Sequence, residues 1–197
     1  METHKKVMDK IFSYAKKAKD SEVGGFLLGT KFTNGDYEIE DAIILKQHKR
    51  DIRFQLDDDA LMDFTKNEKD DELNKVIGWW HSHANMDVFY SADDDATFKR
   101  LAKFFGYNAC VGVVVNLKGK QHWRVMVLTK GDTFVDIDNI QVSVKEDKTQ
   151  IVIDTSDYDY LVIDDKSANT DFYDVCPTCK GTGYAKATKT KGKKRLS

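Results

Sequence analysis

The pattern of hydrophobic and polar positions predicts a series of helices and strands along the chain. Residues 5–19 carry apolar side chains at helical spacing and lysines on the other face, which predicts an amphipathic helix. A second amphipathic helix is predicted to begin at Ser91 and to end at Gly106, a typical C-terminal stop. Residues 57–72 predict a shorter helix with Asp57 at its N-cap. Each of these helices is followed by a predicted strand.

Strands are predicted by short apolar runs and by alternating apolar positions. The runs that begin at Glu22 and at Val76 are apolar in succession, which is typical of strands covered on both faces. The Asn34-Gly35 pair predicts a hairpin between the first of these strands and the next one. Further strands are predicted over residues 37–45, 109–116 and 121–128, and a loop over residues 46–51. Residues 133–144 predict either a further strand pair or an edge strand. Helices interleaved with strands and hairpins predict the α/β class, with a mixed β-sheet flanked by helices.

Composition limits the cellular compartments and the kinds of partner that are expected for the protein. Of the 197 residues 41% are hydrophobic, which is enough for one core, and the 32% that are charged balance to a net charge of −2. This balance gives no general argument for binding to nucleic acid or to a membrane. The charged N-terminus without an apolar core predicts that these residues are not a signal peptide. No apolar run approaches the roughly 20 residues of a membrane-spanning helix. The three cysteines form no disulfide framework, so we expect an intracellular, cytoplasmic protein.

The uneven placement of charge and cysteine divides the chain into four predicted parts. Residues 1–144 are predicted to be the folded domain and residues 145–175 an acidic connector. A cysteine knuckle follows at 176–183, and residues 184–197 form a basic tail that is predicted to be disordered. This tail is either a solvated terminus, a contact for nucleic acid or an acidic partner, or a segment that folds back on the acidic connector.

Two histidines and an aspartate are candidate metal ligands. Because side chains at i and i+2 of a strand point the same way, His81 and His83 share one face of their predicted strand. Among the aspartates at 93–95, only Asp94 follows the apolar stripe of the predicted helix. Two imidazoles and a carboxylate are typical of a catalytic zinc that keeps its fourth position for water, and such a water can attack a carbonyl.

Two further residues are candidates for the chemistry of hydrolysis. Ser91 lies one helical turn before Asp94 and could donate to the oxyanion of a tetrahedral intermediate. Glu22, at the start of a buried strand, is the candidate general base, although nothing in the spacing brings it to the metal. Simpler interpretations stay open: the Ser91–Asp94 pair also matches a capping box, and Glu22 could be an ordinary exposed carboxylate.

Together these residues resemble the signature of the JAMM (MPN-plus) zinc metalloproteases. The residues that match are Glu22, His81, Ser82, His83, Ser91 and Asp94. The run over residues 22–29 and the Gly78-Trp79-Trp80 approach to the histidines also resemble this family, and the segment from Arg53 resembles its prokaryotic branch. The similarity covers roughly residues 5–130. One departure is Ala84, where the family usually has proline, and this puts the rigidity of the loop in doubt rather than the metal.

The resemblance implies a JAMM/MPN fold, which is like that of cytidine deaminases, and one catalytic Zn²⁺. It implies zinc ligation by His81, His83 and Asp94, with Glu22 as acid/base and Ser91 as oxyanion partner. The implied function is hydrolysis of isopeptide or peptide bonds in a protein substrate, next to a ubiquitin-like C-terminus or in a processed assembly protein. Substrate identity and oligomeric state are not predicted.

Two alternative functions compete with hydrolysis. In the first, the chain is an MPN-type binding module that recruits a protein or nucleic acid through the knuckle and the basic tail. The second is a zinc deaminase, whose catalytic glutamate lies two residues after the histidine ligand. Asn85 holds that place here, so the deaminase is rejected.

The cysteine knuckle is a candidate for a second metal or redox site. The segment from Cys176 to Gly183 resembles a single Cys-x-x-Cys-x-Gly-x-Gly repeat of the DnaJ-type zinc domain. Structural zinc needs four ligands, whereas the knuckle offers Cys176 and Cys179 alone and Cys110 lies in a predicted buried strand. A second zinc would therefore need a partner, and a redox dithiol or a knuckle without metal stays open.

Overall fold

A computed structural model describes residues 1–49, 58–67, 69–129, 133–147 and 153–164. These residues belong to the first of two compact units, which spans Met1–Asp165. The predictions for the segment from Arg53 to Asp57, including the N-cap at Asp57, lie outside the described residues. The cysteine knuckle with Cys176 and Cys179 and the basic tail also lie outside them.

The described residues form ten strands and five helices. The strands are β1 (Glu2–His4), β2 (Gly24–Lys31), β3 (Tyr37–Ile44), β4 (Gln47–Lys49), β5 (Val76–Ser82), β6 (Ala109–Val115), β7 (Gln121–Leu128), β8 (Phe134–Ile137), β9 (Ser143–Lys145) and β10 (Val162–Asp164). The helices are α1 (Lys5–Ala18), α2 (Asp58–Asn67), α3 (Asp70–Leu73), α4 (Ala92–Phe105) and α5 (Tyr158–Leu161). Across the described ranges, no helix is long and apolar enough to cross a membrane.

Eight strands form one mixed sheet in the order β8-β7-β6-β5-β2-β3-β1-β9. The central strand β5 pairs antiparallel with β2 and parallel with β6. Gly25 lets β2 approach β3 closely, because a Cβ there would lie 1.9 Å from the carbonyl oxygen of Ile43. With α1 and α4 packed on the sheet, the prediction of an α/β fold with a mixed sheet flanked by helices is confirmed.

The central strand contributes side chains to two separate cores. Trp80 stacks on Tyr14 of α1, with ring centroids 5.6 Å apart, while Trp79 packs edge-on against Phe98 of α4 at 5.4 Å. Both tryptophans are buried, as expected of core residues. Because alternate strand residues share a face, His81 lies on the same side of the sheet as Trp79 and faces α4.

The prediction of a loop over residues 46–51 is wrong for residues 47–49, which form β4. β4 pairs in parallel with β10, a strand more than a hundred residues later, so local sequence patterns do not reveal it. Gln47 is buried, its amide donates to the carbonyls of Gly24 and Leu45, and its carbonyl accepts from the Gly24 N–H. The glutamine side chain thus supplies hydrogen bonds to backbone groups at the start of β2.

Part of the predicted acidic connector packs on the domain. Tyr158 and Val162 belong to the core that includes α1. The Tyr14 hydroxyl donates to the Asp157 carboxylate at 2.7 Å, and the Lys17 ammonium donates to the carbonyl of Thr155 at 2.6 Å. These contacts attach residues 153–164 to α1, while the division of the chain at residue 144 stays a prediction.

Candidate metal centre

The three predicted ligands meet between the end of β5 and the first turn of α4. Nε2 of His81 lies 3.1 Å from Nε2 of His83 and 3.3 Å from Oδ1 of Asp94. One ligand atom from each residue lies within 4.8 Å of the other two. All three residues are buried, with exposed fractions of 1%, 4% and 7% respectively. The fold therefore gathers two imidazoles and a carboxylate in a place from which water is largely excluded.

The spacing of these atoms is suitable for a tetrahedral metal. Ligand atoms about 2.0–2.1 Å from a tetrahedral zinc lie roughly 3.3 Å from one another. The two distances of 3.1 Å and 3.3 Å around His81 are close to this value. Nitrogen and oxygen donors of this kind suit zinc, so the residues present fit the metal that the resemblance implies.

Backbone hydrogen bonds on both sides of β5 set the direction of the histidines. The Ser82 N–H donates to the carbonyl of Val23 at 2.8 Å, and the His83 N–H donates to the carbonyl of Val115 at 2.8 Å. The strand geometry therefore continues through His83, one residue beyond the end of β5. This register keeps His81 and His83 on one face, as predicted.

The other ring nitrogen of His83 selects its tautomer. Nδ1 of His83 lies 2.8 Å from the backbone carbonyl of Asp87. Because a carbonyl can only accept, Nδ1 carries a proton, and Nε2 is the ring nitrogen that lies beside His81 and can bind a metal. Such second contacts commonly orient metal-binding histidines and raise their affinity for the metal.

Burial keeps the His81 ring neutral. Trp79 stacks on this ring, with centroids 4.6 Å apart and planes 15° from parallel. The pKa of His81 is lowered to about 4: burial is the largest cause, the Asp94 carboxylate opposes it, and the charges of His83 and Arg124 add to the lowering. Near neutral pH the imidazole is therefore uncharged, which is the form that binds a metal.

Asp94 divides its carboxylate between α4 and the histidines. Oδ2 accepts hydrogen bonds from the Ser91 N–H at 2.6 Å and from the Ser91 hydroxyl at 2.7 Å, and Oδ1 lies toward His81. The Ser91 hydroxyl also accepts from the Asp94 N–H, so the capping-box interpretation is confirmed. In this arrangement the Ser91 proton is directed at Asp94, and its role as oxyanion partner stays a prediction.

The structure also brings Glu22 to the cluster. Its Oε1 lies 3.9 Å from Nε2 of His83, and its side chain is only 10% exposed. The side chain of Ser82, which points away from the histidines, accepts a hydrogen bond from the N–H of Val23 at 3.1 Å. Ser82 thus ties the residue after Glu22 to the strand of the histidines. The role of Glu22 as general base stays a prediction.

Two buried polar residues, Gln47 and Arg124, were not predicted from the sequence. Gln47 holds the start of β2, and Arg124 lies buried on β7 between α4 and β8. The alternation along β7 separates Arg124 from Trp123 and Val125, but it does not show that both faces of the strand are buried. No local signal marks either residue, because their partners are distant in sequence.

This chain is similar to one family model and to solved structures of two bacterial proteins. The family model for prokaryotic homologs of the JAB domain matches residues 4–133. The solution structure of protein DSY2949 from Desulfitobacterium hafniense is 22% identical, covers 75% of this chain and 94% of its own, and superposes with a TM-score of 0.51. A protein from Salinibacter ruber is also 22% identical and covers 77% of this chain and 95% of its own, with a TM-score of 0.39. No curated protein matches significantly.

The family assignment rests on the model match and not on the solved structures. At this identity the likeness to the Desulfitobacterium protein shows the fold alone. The family model, by contrast, covers more than half of the 197 residues, and the described part of that range includes the metal cluster. The chain therefore belongs to the prokaryotic homologs of the JAB domain.

Proposed function

We propose that this protein is a zinc-dependent metalloprotease that hydrolyses isopeptide or peptide bonds. The observation that carries the proposal is the approach of Glu22 to the cluster of His81, His83 and Asp94, with Oε1 3.9 Å from Nε2 of His83. Packing of the fold alone gives no reason for a glutamate carboxylate beside two buried histidines. A metal centre with an adjacent general base gives all four side chains a use.

The proposed roles follow from the chemistry of each side chain. His81, His83 and Asp94 would hold the zinc, which when bound supplies an acidified water and polarises the substrate carbonyl. Glu22 accepts the proton of the attacking water and passes it to the leaving amine. Asp87 supports these steps through its carbonyl, because it holds the His83 ring in one tautomer.

Ser91 has a positioning role in this proposal. Its hydroxyl and its N–H both donate to Oδ2 of Asp94, which leaves Oδ1 for the metal. Stabilisation of an oxyanion by Ser91 would require its hydroxyl to turn from Asp94 to the substrate. We keep this second role as a prediction and expect the two roles to be separable by substitution.

The surface beside the cluster supports a protein substrate. The loop of residues 84–90 carries Met86 and Phe89, which are 39% and 48% exposed. The Phe89 ring packs edge-on against His83 with centroids 4.8 Å apart, so this exposed aromatic adjoins the proposed metal site. We propose that the hydrolysed bond lies next to a ubiquitin-like C-terminus or within a processed assembly protein.

Metal analysis and substitution of Glu22 test the proposal. We expect one zinc per chain, and we expect Glu22→Gln to retain zinc while hydrolysis of a captured protein substrate falls by about 10²- to 10⁴-fold. Folded Glu22→Gln protein serves as the trap that identifies this substrate. The matched control is Glu40→Gln, since Glu40 lies on β3 and its carboxylate accepts a hydrogen bond from the Thr30 hydroxyl of β2. Hydrolysis by Glu22→Gln at the wild-type rate would show that the base is wrongly assigned.

The binding-module alternative predicts a different result for the same proteins. It requires a partner that stays bound when His81 is replaced by alanine in a folded protein. The knuckle and the tail lie outside the described residues, so a second zinc at the knuckle and a partner of the tail stay predictions. The cytoplasmic location is also a prediction.

A further inference from the structure

Arg124 is a buried arginine that reaches the first turn of α4 from β7. It is 5% exposed, its Nη2 lies 2.7 Å from Oδ1 of Asp95, and its Nη1 lies 3.5 Å from Oδ2 of Asp136. Burial of an arginine is unfavourable unless its charge is paired, so these two carboxylates account for its presence in the interior. They do not account for its location beside the metal centre.

Two aromatic rings hold the guanidinium in place. Its Cζ lies 3.9 Å from the centre of the Tyr90 ring and 4.7 Å from the centre of the Phe98 ring. Both rings also contact the neighbourhood of His81: Tyr90 packs edge-on against His81 at 6.3 Å, and Phe98 packs against Trp79, which stacks on His81. The guanidinium therefore contacts one ring that packs against His81 and a second ring that packs against Trp79.

The ion pair with Asp95 connects Arg124 to the carboxylate ligand. Asp95 directly follows Asp94, and both lie in the first turn of α4. The capping box holds Oδ2 of Asp94 from the N-terminal side, while Arg124 holds the next residue from the sheet. These two anchors restrict rotation of the first turn, and this rotation would move Oδ1 of Asp94 away from His81.

We propose that Arg124 is a positioning residue for the metal centre. It orients Asp94 through Asp95 and orients His81 through Tyr90 and the aromatic stack, and it contacts neither metal nor substrate. This inference rests on the proposed metal site. It predicts that loss of Arg124 lowers the zinc affinity of the folded protein. Loss of a residue that only stabilises the core would leave this affinity unchanged.

Zinc affinity measured by chelator competition on the folded apoprotein tests this role. We expect Arg124→Met to weaken zinc binding by about 10- to 100-fold, as is common for contacts that orient metal ligands. Asp95→Asn removes the charge of the same ion pair at a side chain that is 39% exposed and leaves Asp136 paired with Arg124, so the risk to folding is lower. We expect it to weaken zinc binding by about 10-fold, the lower end of this range. Arg124→Lys keeps the charge but not the planar fork, so its affinity should lie between those of the wild type and Arg124→Met.

The control is an arginine–aspartate pair at another place on α4. Nη1 of Arg100 lies 2.8 Å from Oδ1 of Asp58, and Arg100→Met should keep the wild-type zinc affinity. The double variant with Arg124→Met and Asp95→Asn should bind zinc no more weakly than Arg124→Met alone, because both changes remove one contact. Circular dichroism of each apoprotein verifies folding.

The outcomes separate this inference from the proposed function. If the wild type binds zinc and folded Asp95→Asn and Arg124→Met bind it equally well, Arg124 has no positioning role and the metal site stands. If Arg124→Met does not fold, the affinity of Asp95→Asn decides the question alone. If the folded wild type binds no zinc, both the metal site and the role of Arg124 are overturned.

Discussion

Ser91 gives both its backbone N–H and its hydroxyl to the same oxygen of Asp94, at 2.6 Å and 2.7 Å. The remaining oxygen, Oδ1, lies 3.3 Å from Nε2 of His81. One residue therefore caps α4 and also determines which carboxylate oxygen faces the histidines. Helix capping and the orientation of Asp94 as a candidate metal ligand are therefore coupled through this pair.

Replacement of Ser91 by alanine should weaken both functions of the pair. The loss of the cap should lower the free energy of unfolding by about 1 kcal/mol. Since Asp94 also loses a hydrogen bond that orients it, zinc affinity should fall as well. Thermal unfolding of the apoprotein and chelator competition measure the two effects. Ser91→Thr keeps the hydroxyl and should behave like the wild type, and an unchanged zinc affinity in Ser91→Ala would contradict the coupling.

Ser82 should affect activity although it faces away from the metal centre. In Ser82→Ala the N–H of Val23 loses its buried partner, which should cost about 1–3 kcal/mol of stability. Because Val23 adjoins Glu22, hydrolysis should decline more than zinc binding does. Urea unfolding, zinc titration and a rate measurement distinguish these effects. Ser82→Thr retains the hydroxyl as the control, and an equal loss of zinc binding and hydrolysis would refute a specific link to Glu22.

The backbone at Ala84 should reject proline, the residue that the wider family usually has there. Ala84 has a φ of 45°, and its carbonyl accepts from the Leu117 N–H at 2.7 Å. Proline requires a φ near −65°, so Ala84→Pro must rearrange the loop. We expect this variant to lose roughly 3 kcal/mol in its free energy of unfolding and to bind zinc more weakly. Denaturant unfolding and zinc titration of this variant measure the change.

Glycine at the same position is the matched control. Glycine adopts a positive φ freely, which favours the native loop, but the buried methyl group of Ala84 is lost. These opposing terms are each about 0.8–1 kcal/mol, so Ala84→Gly should unfold within about 1 kcal/mol of the wild type. If Ala84→Pro is as stable as Ala84→Gly, the left-handed backbone does not constrain this loop.

Tyr14 should make the protein sensitive to alkaline pH. Burial, followed by the hydrogen bond and the charge of Asp157, raises the pKa of Tyr14. In the unfolded chain the phenol ionises near pH 10, whereas in the native state it stays neutral. This contribution to stability is therefore complete below about pH 10 and is lost as the pH rises toward the native pKa.

Replacement of Tyr14 by phenylalanine isolates this effect. Tyr14→Phe should be less stable than the wild type at pH 7, because the bond to Asp157 is gone, but should lose less stability between pH 9 and about 11. Tyr90 and Tyr107 also have raised pKa values and continue to titrate in the variant. Denaturant unfolding across this pH range measures the slope, and identical alkaline slopes in the two proteins would disprove the assignment.

Much of the candidate site follows from local periodicity in the sequence. The two-residue period of a strand places His81 and His83 on one face, and the helical register selects Asp94 among three aspartates. The capping box is also visible in the spacing of Ser91 and Asp94. These features are properties of single elements, so they do not depend on how the elements pack.

The approach of Glu22 to His83 and the burial of Arg124 are decided by the tertiary structure. Glu22 reaches His83 because β2 and β5 are neighbours and Ser82 binds the backbone after Glu22. The sequence pointed to Glu22 through its position at the start of a buried strand and through the family signature, but neither brings it to the histidines. The ion pair of Arg124 with Asp95 and the pairing of β4 with β10 join distant parts of the chain. Local patterns specify which face a side chain takes, whereas the packing of the sheet and helices determines what that face meets.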